Sequence, residues 1–315
     1  MRIAIVGAGG VGGILAGLLA RAGAEVALVA RGAHLEAIRR NGLRVESPLG
    51  SFTVRVSVSA EPADLSPVEA VLVAVKAWQV QEVAPRLPPL LGPGALVLPL
   101  QNGVEAAGTL ARALGEGAVA GGVINLLAWL EGPGKARHVG DPPRVVMGER
   151  PGGPRRERLE PLKGALVRAG VEVDLVDDAE RAVWEKFLLV EPWGAVAAAA
   201  RAPLGVLRGL AEARALWMKA MEEVLALAAA RGVAIPRDAA ERMVERLDGL
   251  TPSATASMQR DIGAGRRSEL EDQVGAVVRL GRAAGVATPV HEALYAVLLP
   301  QEAAARGTIP AFPRT

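Results

Sequence analysis

The sequence predicts an α/β fold, with an N-terminal doubly wound parallel sheet and an all-helical C-terminal domain. Three observations predict it. Strand-like and helix-like stretches alternate over residues 1–177. The runs 70–75 and 95–100 are continuously apolar, like strands buried on both faces of a parallel sheet. Beyond Asp177 only helical periodicity remains. The expected organisation is a sheet domain over 1–177 and a helical domain over 178–315.

Each element has a local reason. Residues 1–6 are an apolar strand that runs into Gly7-Ala8-Gly9-Gly10-Val11-Gly12, and 14–22 read as the helix behind it. Gly23 closes that helix, and 25–29 form a second strand. A helix is expected over 33–40 and strands over 43–46 and 52–58, the last on its period-two alternation. Strand 70–75 leads to a helix over 78–91, ended by Pro88, Pro89, Gly92, Pro93 and Gly94. Strand 95–100 turns through Gln101-Asn102-Gly103 into a helix over 104–114. Alternating strands follow over 118–147, then a helix over 155–168 and a strand over 171–176. Helices are expected over 179–190, 210–231, 236–247, 253–262, 270–284 and 289–306.

A G-x-G-x-x-G turn between strand and helix is what a Rossmann-type dinucleotide site needs. Gly7 permits the sharp turn, Gly9 lets the backbone approach a pyrophosphate, and Gly12 lets the helix pack on the strand. Ala8, Gly10 and Val11 complete the turn. The helix N-terminus, with free N–H groups and a favourable dipole, suits the anion. Strand 25–29 ends Val29-Ala30-Arg31, without the acid that binds the ribose of NAD. Arg31 can pair bidentately with a 2′-phosphate, which favours NADP (NADPH).

Composition narrows the classes. At 315 residues and 50% hydrophobic, the chain can fill two cores. The net charge is only +2, and no basic run interleaves with aromatics, which argues against a nucleic-acid partner. No apolar run reaches the length of a membrane span, and the first residues read as a strand rather than a signal peptide. A cytoplasmic location without membrane association is expected. The absence of cysteine excludes disulfides, cysteine–zinc sites and thiol nucleophiles, and no metal site is expected. Lysine is confined to Lys76, Lys135, Lys163, Lys186 and Lys219 in an arginine-rich chain. Arginine cannot replace a lysine that must give up a proton.

Ligands of a doubly wound sheet gather at the carboxyl ends of its strands. Lys76 follows one buried strand and Asn102 another, so both can reach the nicotinamide side of a cofactor. Asn-Gly is also a common turn, and Lys76 also reads as a surface lysine at a strand end. Lys186 lies in Trp184-Glu185-Lys186-Phe187-Leu188, where partial burial would lower its pKa and make it a proton donor to a carbonyl. Glu269 is expected to open a helix, where a first-turn acid complements the dipole. Ser257 and Asp261 share a helix face.

In this order, the glycine turn, Arg31, Lys76-Ala-Trp, Gln101-Asn-Gly103, His138-x-Gly140, Trp184-x-Lys186, Ser257-Met258 with Asp261, and Glu269 resemble the ketopantoate reductase family. The resemblance spans nearly the whole chain. It implies NADPH-dependent reduction of 2-dehydropantoate to pantoate, on the route to pantothenate and coenzyme A. It makes Lys186 the proton donor, and gives Glu269 the substrate hydroxyl and the lysine network. Ser257 takes the substrate carboxylate, and Asn102 and Lys76 position the substrate. Lys76, Asn102 and Glu269 also count among the cofactor contacts. The family usually carries asparagines four and eight residues after the lysine and another after the proline at 203. Here those positions are Val190, Gly194 and Leu204. Two other readings therefore stay open: a reductase of another, less polar 2-keto acid, and a non-catalytic NADP-sensing protein. A small keto acid is the expected partner, and a homodimer through the helical domain is one assembly open to the chain.

Overall fold

In the computed structural model, which describes residues 1–236 and 238–312, β1 (Arg2–Val6) is buried on both faces. Ile3 and Ile5 enter one apolar cluster, while Ala4 and Val6 enter another. This alternation is why the strand is apolar throughout. The chain continues through α1 (Gly10–Arg21), β2 (Glu25–Val29), α2 (Gly32–Asn41), β3 (Leu43–Glu46), β4 (Phe52–Val54), β5 (Ser57–Ser59) and β6 (Val68–Val73). Then come α3 (Val80–Val83), β7 (Leu91–Pro99), α4 (Ala106–Leu114), β8 (Gly121–Gly132), β9 (Lys135–Gly148), α5 (Arg156–Arg168) and β10 (Glu172–Val176).

The strands form two sheets. The first is parallel, in the order β5-β2-β1-β6-β7. The chain leaves β1 toward β2 on one side and returns to β6 on the other, so the order reverses beside β1. The second sheet runs β10-β9-β3-β4, and β8 pairs with β9 in a long antiparallel hairpin. Leu43, Val45, Val145 and Met147 of this sheet share a core with α1 and α5.

Several expected elements are corrected. The alternating stretch 52–58 is two strands in two sheets: β4 pairs antiparallel with β3, and β5 pairs parallel with β2. Period-two alternation is common to both partners, so it does not reveal the break at Arg55 and Val56. The helix expected over 78–91 is only the single turn α3 flanked by 3-10 turns at Ala77–Gln79, Ala84–Arg86 and Pro88–Leu90. Pro85, Pro88 and Pro89 remove N–H donors and crowd the preceding carbonyls.

The chain divides into two compact units, Met1–Ala182 and Val183–Thr315. The division falls inside α6 (Ala179–Ala200). The second unit continues with α7 (Leu204–Gly209), α8 (Ala211–Ala230), α9 (Ala239–Asp248), α10 (Ser257–Gly263), α11 (Val274–Ala284) and α12 (Pro289–Ala305). No strand occurs in it among the described residues. Helix α7 was not expected. Two expected helices start late, at Ser257 and Val274 rather than at 253 and 270. Residues 252–254 are held outside a helix because Pro252 and Ala254 accept backbone bonds from Gly205 and Leu204. No helix among the described residues is long and apolar enough to cross a membrane.

Candidate active site

In the sheet unit, the parallel register brings several of the predicted residues to one edge. Val6 lies opposite Val29 and Val73, and Val73 opposite Pro99. Four strands therefore end in one row, and the glycine turn, Arg31, Lys76 and Asn102 leave the sheet along one edge. Gly7 takes φ +106°, and its N–H reaches Val29 O at 3.1 Å. A Cβ there would lie 2.6 Å from the Val75 nitrogen. A Cβ on Gly12 would lie 1.8 Å from Gly7 O, so a larger residue would push α1 off β1. At Gly9 a Cβ would meet nothing within 4 Å. The turn is thus open above Gly9, and no side chain caps α1 there. An open backbone cradle at an uncapped helix N-terminus fits the pyrophosphate of a dinucleotide.

Gln101, read in the sequence only as part of the Gln101-Asn102-Gly103 turn, has a bridging role. Its side-chain amide donates to Val73 O at 2.8 Å and Val75 O at 3.0 Å. It ties the end of β6 to the end of β7, and so holds the segments that carry Lys76 and Asn102. The Lys76 ammonium lies 5.8 Å from the centre of the Trp78 ring. Arg31, at the N-cap of α2, donates from two nitrogens to one Glu82 oxygen at 3.1 Å.

The other predicted residues lie in the second unit. Lys186 sits on α6 among buried Trp184, Phe187 and Leu188, with Trp184 and Phe187 packed edge to face at 5.8 Å. The lysine keeps some accessible surface, yet protein crowds its ammonium. Desolvation lowers its pKa from 10.5 to about 8, opposed by the Glu269 carboxylate. Glu269 is buried and does not open a helix, as the sequence suggested; it lies in tight turns before α11. Glu302 of α12 fixes those turns by accepting Ser268 N–H at 2.9 Å and the Ser268 hydroxyl at 2.6 Å. Position 194, two turns after Lys186, packs on the start of α10. A Cβ on Gly194 would lie 3.3 Å from Met258 Cε and 3.6 Å from Ala256 Cβ. Ser257, between those two residues, is the first residue of α10. Asp261 is engaged by Arg266 at 2.8 Å.

Two sequence matches add to this geometry. Residues 3–152 match the family described as ketopantoate reductase PanE/ApbA, and residues 178–302 match its C-terminal part. The chain belongs to the ketopantoate reductase family. It is 31% identical to the 2-dehydropantoate 2-reductase of Mesorhizobium japonicum, over 95% of this chain and 97% of the relative. It is 32% identical to that of Halobacterium salinarum, over 93% and 96%. A crystal structure of a PanE/ApbA family ketopantoate reductase from Ralstonia eutropha JMP134 superposes with a TM-score of 0.87 at 36% identity, covering 97% and 100% of the two chains.

Within this ketopantoate reductase fold, the three substituted asparagine positions differ from one another. Val190 is partly exposed, Gly194 is buried against α10, and Leu204 is fully buried. Leu204 is a core residue here and lines no open surface. Next to Val190 stands a buried group absent from the sequence reading. His291, at the start of α12, bonds Glu223 of α8 at 2.6 Å through Nδ1 and Glu191 of α6 at 2.9 Å through Nε2. Burial opposes the imidazolium, but the two carboxylates prevail and raise its pKa to about 9. Asp272, whose Oδ2 is buried without a hydrogen-bond partner, is pushed to about 6 by burial and then by Glu269.

Proposed function

We propose that this chain is an NADPH-dependent 2-dehydropantoate 2-reductase that makes pantoate for pantothenate and coenzyme A synthesis. The observation that carries the reading is the desolvated Lys186 ammonium beside Glu269. A lysine with a pKa about 8 is protonated at neutral pH and still gives up its proton readily. Bound NADPH supplies the hydride. Lys186 hydrogen-bonds the ketone oxygen, stabilises the charge that builds there, and passes its proton to that oxygen. Glu269 keeps the lysine charged and accepts the substrate hydroxyl. Ser257 donates to the substrate carboxylate, and Asn102 and Lys76 orient the ketone and the nicotinamide. The Gly7–Gly12 turn takes the pyrophosphate, and Arg31 takes the 2′-phosphate. The proposal places the enzyme in the cytoplasm. It also allows a homodimer through the helical unit, where Val206, Leu210, Val297 and Leu299 offer exposed apolar surface.

A second reading, reduction of a less polar 2-keto acid, is favoured by Val190 and by the close packing at Gly194. The test is NADPH oxidation with ketopantoate and a panel of 2-keto acids. Ketopantoate turnover above the rest supports the first reading, and preference for an apolar acid supports the second. Binding of NADPH without any turnover would support a sensor and contradict both.

A further inference from the structure

Arg31 shares a surface network with three other charged side chains. The Glu82 oxygen that accepts from Arg31 at 3.1 Å also lies 3.7 Å from Arg86. Arg86 in turn donates to Glu61, two residues beyond β5. Arg31, Glu82, Arg86 and Glu61 alternate in sign, two of each, so the row is electrically neutral. Arg31 and Glu82 are 50% and 58% exposed, which leaves both within reach of a ligand.

We propose that Glu82 is a specificity-determining residue that competes with the 2′-phosphate of NADPH for Arg31. The inference rests on the assignment of Arg31 to that phosphate. A guanidinium fork offers carboxylate and phosphate the same two-pronged donor geometry. A 2′-phosphate that pairs with the terminal nitrogens of Arg31 draws on the same two donors that the Glu82 oxygen holds. Pairing then breaks an existing ion pair and leaves a displaced carboxylate beside a dianion. NADH carries a neutral hydroxyl at that position and asks nothing of Arg31. The charge of Glu82 thus weighs against NADPH alone and narrows the preference that Arg31 creates.

The test is calorimetric titration of NADPH and NADH into wild type, Glu82→Gln, Arg31→Ala and the double variant, at low salt. Both side chains are exposed, and unchanged thermal midpoints establish that the variants fold. Glu82→Gln should bind NADPH roughly two- to fivefold more tightly, the range set by exposed ion pairs, with NADH unchanged. The gain should vanish in the Arg31→Ala background and shrink at high salt. Unchanged or weaker NADPH binding in Glu82→Gln, while Arg31→Ala still weakens NADPH selectively, overturns the role of Glu82 and leaves Arg31 in place. Equal loss of NADPH and NADH in Arg31→Ala overturns the Arg31 assignment and the inference with it. Weaker NADH binding in Glu82→Gln would make Glu82 a ribose ligand rather than a competitor.

Discussion

Arg31 and Glu82 of the sheet unit meet at 3.1 Å with half their surface in water, whereas Glu191 and His291 of the helical unit meet at 2.9 Å with none. The first unit prepares its ligand edge with backbone: an open glycine turn, a row of strand ends and an uncapped helix. Its charges are exposed and exchangeable. The second unit carries desolvated charge instead: the Lys186 ammonium with Glu269, and separately the buried Glu191–His291–Glu223 chain. An anion can be bound by N–H groups that are always present. A proton must be held by a side chain whose pKa the surroundings have moved.

The largest expected effect is on turnover. Lys186→Ala should lower kcat by about two orders of magnitude or more while NADPH affinity stays intact, as steady-state rates and a cofactor titration will show. Lys186→Arg should fail to restore it, since guanidinium keeps its proton near neutral pH. Near-normal turnover in either variant would erase the functional difference between the two units.

Stability sharpens the same contrast. Glu191→Ala leaves a buried imidazolium with one of its two partners and should cost about 3–5 kcal/mol in urea unfolding. Arg144→Ala, which breaks an exposed pair with Asp174 in the sheet unit, should cost under about 1 kcal/mol. The His291 proton adds a pH signature. Its folded pKa, about 9, lies above the 6.5 of an unperturbed histidine. The stability it confers is therefore complete below pH 6.5 and is lost as pH rises through 9. Wild type should lose urea resistance over that window, and Glu191→Gln should lose less of it. Equal costs for Glu191→Ala and Arg144→Ala would contradict the contrast.

What could be read from the sequence divides along the same line. The glycine turn, Arg31, Lys76 and Asn102 owe their places to contiguous strand–turn–helix spacing, which a linear reading captures. Lys186 was legible through its apolar neighbours and the family pattern. The buried charge chain that starts on the same helix was not. His291 is 100 residues from Glu191 and 68 from Glu223, and no local period connects them. Glu269 was legible as a residue but not as part of a turn, because Ser268 and Glu302 decide its backbone from a distance of 34 residues. Gly10 showed only as a letter of the motif. The structure adds its packing reason: a Cβ there would lie 2.6 Å from the backbone of Ala128 and Trp129 in β8.

The smallest effect concerns the substrate. Val190 is the one replaced asparagine position with both accessible surface and a place on the Lys186 face of α6. Val190→Asn should improve kcat/KM for ketopantoate by about 0.5–1.5 kcal/mol and harm any apolar keto acid that wild type prefers. The same change at Gly194 would press its Cβ on the Met258 tip at 3.3 Å and should cost stability in the helical unit. A loss of ketopantoate kcat/KM in Val190→Asn, with stability intact, would remove Val190 from the substrate wall.

In the proposed mechanism, burial tunes Lys186 to donate its proton. The pH dependence of kcat for NADPH-driven ketone reduction at saturating substrate tests it most directly. With the Lys186 pKa at about 8, kcat should hold level from pH 6.5 to 7.5 and fall as pH rises through 8, approaching tenfold per unit. A profile that stays flat to pH 10, or that falls identically in Lys186→Ala, would contradict it.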